Sequence, residues 1–202
     1  MYEPKDYPFL TPGSRALAIA LDERDNYTHL HSSRVVELAH RLGLACGLES
    51  VLLSVLDMGA FFHDVGKIGI PDQVLLKPAR FTPADMAVMR QHPEKGEGIV
   101  RGLGLPSGDK VASAVRHHHE YFDGGGYPDG LQGESIPVVA RIISVADSFD
   151  AMTGDRPYHP GRSTAEALDI MFGEAGGKLD PYLVGKLDQL VGSSRGGTAP
   201  GS

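Results

Sequence analysis

The stretch VLLSVLDMGAFFHDVGKIGIP, residues 51–71, sets the reading of this chain. Leu52, Val55, Leu56 and Gly59 recur at the spacing of one helix face, and the next position on that face is His63, followed at once by Asp64. The glycines and proline of GKIGIP then stop the helix. The spacing predicts a helix over about 49–64 whose apolar face carries two ionisable side chains into the interior. Ser54 and Asp57 interrupt the apolar run, which falls short of the roughly 18–20 residues that cross a bilayer. The helix therefore belongs to a protein core.

The same pattern repeats along the chain. Over 28–42 the stripe is Val35, Leu38, Ala39 and Leu42, and one turn back from Val35 lies His31. Over 109–119, Val111, Ala114 and Val115 lead to His118; over 137–153, Val139, Ala140 and Ile143 lead to Asp147. Val88 and Met89 lead to His92. Further helices are predicted over 14–24, over 93–103, after Thr82 with Pro83 and Asp85 behind it, after Ser163 with Glu166 at capping-box spacing, and after Asp180-Pro181. Strand alternation is absent, so the expectation is an all-α, single helical-bundle domain over 14–191. Residues 1–13 read as an N-terminal extension, and the small, polar stretch 192–202 as a disordered tail.

One histidine on an apolar stripe is ordinarily a hydrogen-bonded core residue. A buried unpaired carboxylate costs several kcal/mol or loses its charge. Both problems disappear together if His31, His63, Asp64, His92, His118 and Asp147 converge on cations, because imidazole and carboxylate are the donors that Mn²⁺, Fe²⁺ and Zn²⁺ accept. Neighbours on a helix diverge by about 100°, so His63 and Asp64 reach one place only where the helix ends or the site is broad. A carboxylate bridging two cations fits that requirement.

The bulk composition narrows the function. A net charge of −7 argues against a basic face for polymeric nucleic acid. The single cysteine, Cys46, excludes an internal disulfide and fits a reducing cytoplasm. The N-terminus lacks the basic-then-apolar order of a signal peptide, and the sequence shows no receiver or sensory domain.

The set His31, His63-Asp64 and Asp147 resembles the signature of HD-domain phosphohydrolases. The blocks HDVGKIGIPD (63–72), HHEYFDGGGYPDGLQGESIP (118–137) and ARIISVADSFDAMTGDRPY (140–158) resemble the HD-GYP subfamily, the phosphodiesterases of cyclic di-GMP. The resemblance implies an HD-type bundle with a Gly-rich GYP loop, and metal ligation by His31, His63, Asp64, His92, His118, His119 and Asp147. His119 enters only on this ground, and His117 is read as its non-ligating neighbour. Asp64 and Lys67 are the implied catalytic residues. Lys67 and Arg156 would contact phosphate, with Gly126 and Tyr127 bordering the substrate. His159 stands where the family often has Lys or Arg, and Tyr27 where three-metal members have Glu. The implied cofactor is therefore two divalent ions, Fe or Mn, with Mg, Zn and Ni also compatible.

The implied reaction is hydrolysis of cyclic di-GMP to pGpG, and then to GMP, by a water activated between two cations that share Asp64. Glu120 and Asp123 are expected to hold the loop, which the family also uses to dock partner proteins. Two rival readings are a catalytically weak module that binds cyclic di-GMP or a partner, and an HD phosphohydrolase acting on another cyclic dinucleotide such as cyclic GMP-AMP.

Overall fold

A computed structural model describes residues 11–24, 28–154 and 160–192. Among them the helices are α1 (Pro12–Arg24), α2 (Thr28–Ala45), α3 (Ser50–Phe62), α4 (Asp72–Leu75), α5 (Pro83–Met89), α6 (His92–Gly102), α7 (Gly108–His117), α8 (Val138–Thr153), α9 (Thr164–Glu174) and α10 (Pro181–Gly192). Short 3-10 turns cover Val65–Gly69 and Gly133–Ser135, and the described residues form no strand beyond a lone bridge between Ala175 and Leu179. The all-α expectation holds. None of these helices is long and apolar enough to cross a membrane.

Two helices make the centre. Along α3 the residues Val55, Leu56, Met58, Ala60, Phe61 and Phe62 are all buried, and along α8 so are Val139, Ala140, Ile142, Ile143, Val145 and Ala146. A helix apolar on most of its circumference must be covered on several sides. Accordingly α3 packs against α2, α7 and α8, and α8 also packs against α2, α7 and α9. Burying each large apolar side chain contributes about 1.5–3 kcal/mol, so these two helices fix the frame from which the polar residues project.

The predicted caps form. Thr82 Oγ1 accepts from Asp85 N at 3.2 Å while the Asp85 carboxylate accepts from Thr82 N at 2.8 Å. Ser163 and Glu166 repeat the arrangement at 3.3 and 2.9 Å. Asp180 accepts from Tyr182 N at 2.9 Å and from Arg141 Nη1 at 2.5 Å.

Three helix ends at proposed ligands differ from expectation. The helix predicted to reach Asp64 stops at Phe62, with His63 as its C-cap; the one predicted to reach His119 stops at His117, with His118 as its C-cap. His92 does not continue the stripe of Val88 and Met89. That helix ends at Met89, and His92 opens the next one. A 3-10 turn then brings Gly66 so close to α6 that a Cβ there would lie 1.9 Å from His92 O and 2.5 Å from Gly96 N. Only glycine allows that approach, which carries the chain after Asp64 up against the helix that begins with His92.

Residues 118–137 form a loop tied at several points. Tyr127 N donates to His119 O at 3.1 Å, Gly133 N to Phe122 O at 2.9 Å, and Asp123 N to Gly177 O at 2.8 Å. At Gly126 a Cβ would meet Tyr121 N at 2.1 Å, so the close return of the loop on itself also requires glycine.

Candidate metal centre

Six of the proposed ligands fall into two sets. His31, His63 and Asp64 make one, His92, His118 and His119 the other, and within each set the ligand atoms lie within 4.8 Å of one another. Asp64 lies between them: Oδ2 is 3.4 Å from His63 Nε2 and Oδ1 is 3.5 Å from His92 Nε2. Asp147 Oδ1 completes the first set, 3.2 Å from His31 Nε2 and 3.9 Å from His63 Nε2. The rings of His63 and His118 stand edge to face with centroids 5.3 Å apart, so the sets share a wall. His63 and His118 are fully buried, and His31, Asp64 and His92 nearly so, whereas His119 and Asp147 are half-buried.

The helix ends create this convergence. Because α3 stops at Phe62, Asp64 takes φ −96° and ψ 1°, outside helical geometry, and its side chain no longer diverges from that of His63. Likewise α7 ends at His117, just before His118 and His119, whose ring centroids lie 4.1 Å apart.

Three of the buried rings are each held in one orientation by a backbone carbonyl. His63 Nδ1 donates to Ala60 O at 2.7 Å, His92 Nδ1 to Met89 O at 2.8 Å, and His118 Nδ1 to Val115 O at 2.7 Å. A carbonyl can only accept, so the proton sits on Nδ1 and each Nε2 turns a lone pair inward. His92 Nε2 and His118 Nε2 then face each other at 3.3 Å, and buried His63 Nε2 has no hydrogen-bond partner. Lone pairs converging in a core repel unless a cation lies among them. The donor set fits divalent metal ions.

The charges agree with that chemistry. Burial, then neighbouring His119, His92 and His63, hold His118 well below the usual imidazole range. Burial and His92 take His119 down to about 3, and burial lowers His92. Neutral imidazoles are the ligand form. Burial would raise Asp64, but Lys67, His63 and His92 outweigh it and hold the carboxyl well below its ordinary value. Asp147 is likewise depressed, with the His31 hydrogen bond overcoming burial. His31 goes the other way: burial opposes its charge, yet hydrogen bonds to Asp147 and Asp150 raise it to about 9.

Asp150 was not legible as a site residue. Its Oδ2 lies 2.7 Å from His31 Nδ1, and Arg34 grips both its oxygens at 2.6 and 2.9 Å. It thereby aims His31 Nε2 at the centre, as carboxylates behind metal-binding histidines do. The signal was its position three residues after Asp147, on the same helix face.

The remaining expected residues divide three ways. Lys67 Nζ donates to Asp64 Oδ2 at 2.7 Å. Tyr127 packs its ring on His119, centroids 5.0 Å apart, with Gly126 beside it. Arg156, His159 and Tyr27 lie outside the described residues. His117 turns away from the cluster: its Nε2 meets Asp129 Oδ2 at 2.9 Å, where Arg116 also grips Asp129 at 2.7 Å through each oxygen. Glu120 accepts from Asp129 N and Leu131 N at 2.7 and 3.1 Å, bracing the loop as expected, while Asp123 caps Gly125 N locally at 2.8 Å.

Comparison with known proteins is consistent with this geometry. The HD-domain family matches residues 15–183. The chain is 40% identical over 171 residues to the cyclic di-GMP phosphodiesterase response regulator RpfG of Xanthomonas campestris, covering 85% of this chain and 45% of that one. It is 38% identical over 176 residues to a cyclic di-GMP phosphodiesterase of Thermotoga maritima, covering 87% and 48%. The chain thus spans less than half the length of these curated relatives. The crystal structure of a cyclic GMP-AMP-specific phosphodiesterase of Vibrio cholerae superposes with a TM-score of 0.69 at 22% identity, over 89% of this chain and 48% of that one, which is a likeness of fold.

Proposed function

The chain belongs to the HD-domain family, and on that premise we propose that it is a phosphodiesterase hydrolysing cyclic di-GMP to pGpG, and onward to GMP, at a two-metal centre. The observation that carries the reading is Asp64, whose two oxygens address two separate sets of ligands with inward-facing lone pairs. His31, His63, Asp64 and Asp147 would hold one ion, and His92, His118, His119 and Asp64 the other. Histidine with two carboxylates suits Fe²⁺ or Mn²⁺, and affinity order alone would select neither. Bound divalent ions would supply Lewis-acid activation of water and charge neutralisation at the phosphate.

The chain's own groups then have defined roles. The carbonyls of Ala60, Met89 and Val115 fix the imidazole tautomers, and Asp150 with Arg34 fixes His31. Lys67, one hydrogen bond from Asp64, would lie beside a phosphate bound there and offset the charge that develops on its oxygens. Tyr127 and Gly126 form one wall. The half-buried side, at His119 and Asp147, is where substrate would enter. Arg156 and His159 are carried as further phosphate contacts by the family resemblance.

The test is chromatography of products from anaerobically purified, Mn²⁺- or Fe²⁺-loaded protein given cyclic di-GMP, beside Asp64→Ala. Conversion to pGpG or GMP by the native protein, with a loss of at least about 10³-fold in the variant, is the expected result. No conversion at verified metal occupancy would overturn the assignment.

A further inference from the structure

Arg90 is a charged residue with no part in the metal centre itself. It caps the C-terminus of α5, two residues before His92, and its side chain is exposed. Its guanidinium lies over the Tyr127 ring, 5.1 Å from the centroid. Tyr127 in turn packs on His119. The cation therefore stands one ring away from a histidine of the metal centre, on the wall of the half-buried side.

Other cations near the centre have carboxylate partners. Lys67 is on Asp64, Arg34 on Asp150 and Arg116 on Asp129. Among the described residues, Arg90 has none. A guanidinium held over an aromatic face by cation–π attraction keeps N–H groups for another partner, and its fork can take a phosphate through two parallel hydrogen bonds. The opposite charge is easy to locate. A cyclic dinucleotide carries two phosphates on one ring, and a chain with a net charge of −7 repels the second unless a dedicated cation meets it.

We propose that Arg90, laid over Tyr127 at the wall of the metal centre, binds the second, non-reacting phosphate of a cyclic dinucleotide. The assignment rests on the phosphodiesterase reading above. It makes Arg90 a substrate-binding residue and the loop tyrosine the platform that orients the guanidinium. It also predicts selection for substrates with two phosphates, whichever bases they carry.

The experiment compares metal-loaded wild type, Arg90→Ala and Arg90→Lys on three substrates: cyclic di-GMP, cyclic di-AMP, and thymidine 5′-p-nitrophenyl phosphate, which has a single diester. Loss of a charge-assisted bidentate contact should raise KM for the cyclic dinucleotides about tenfold more than for the single ester. Lysine, which keeps the charge but not the fork, should recover part of that loss, and metal content should not change. An equal effect on all three substrates would mean a structural role for Arg90 and overturn the proposal. So would a loss confined to cyclic di-GMP, which would assign Arg90 to guanine. Wild type that cleaves cyclic dinucleotides with no KM change in Arg90→Ala sinks the subsite alone. Wild type that cleaves only the single ester sinks the cyclic-dinucleotide reading and the subsite with it.

Discussion

His117 and His118 are neighbours in sequence and face opposite fates. Each belongs to a group of three ligand-type residues within metal-holding distance, His117 with Glu120 and Asp129, His118 with His92 and His119. Around His117 the polar atoms have partners: Arg116 and His117 hold Asp129, and two backbone amides hold Glu120. Around His118 the donors are turned outward to carbonyls and the lone pairs face one another. Proximity of ligand types is common to both regions. What distinguishes a metal site is buried acceptors that the protein itself leaves without donors.

The sharpest way to break that contrast is metal-linked stability. A ligand at one hundred times its Kd adds about 2.7 kcal/mol, which for a domain of this size is a rise of about 5–10 °C in Tm. Wild type and His117→Ala should show that rise on adding Mn²⁺ to the chelated protein, whereas His118→Ala should lose most of it. Differential scanning fluorimetry reads the effect directly. A full rise in His118→Ala, or its loss in His117→Ala, would show that the wrong group had been taken for the site.

A smaller effect separates the frame of the site from that of the loop. Gly66→Ala sets a methyl against His92 O and Gly96 N, while Gly126→Ala sets one against Tyr121 N. Both should destabilise by about 3 kcal/mol in urea unfolding of metal-free protein, the upper end for overpacking because backbone must move. Only Gly66→Ala should also lower bound metal, since it parts the turn after Asp64 from the helix that begins with His92. Equal metal content in the two variants would refute the coupling.

These residues also show what was legible. Cap residues and apolar stripes gave the helices, because local propensity and core packing agree along most of the chain. The stripes pointed to His31, His63, His118 and Asp147 as inward-facing, since each continues a buried face. They failed where the chain leaves the helix. The ends at Phe62 and His117 follow from tertiary contacts such as that of Gly66 with α6, which no periodicity records, and His119 was reached only through family resemblance. His92 was found through the wrong helix. Asp150 and Arg90 were missed because their meaning depends on partners far along the chain, His31 and Tyr127.

The smallest predicted effect tests the satisfied region by pH. The hydrogen bond from Arg116, working against burial and helped by His117, lowers Asp129 to about 2. A carboxyl whose folded value lies below its unfolded value of about 3.9 contributes stability that is fully present above the unfolded value and lost as pH falls through the folded one. Asp129→Asn should therefore cost a few tenths to about 1 kcal/mol near neutrality, the range of an exposed ion-pair network, and the gap from wild type should close between about pH 4 and 2. Urea unfolding of metal-free wild type and variant across that interval measures the closure, because protonation of His119, Asp64 and Asp147 is common to both. A gap that stays constant to pH 2 would mean that Asp129 holds the loop by shape and not by charge. The region around His117 would then differ from the candidate metal centre in packing and not in how its charges are paired.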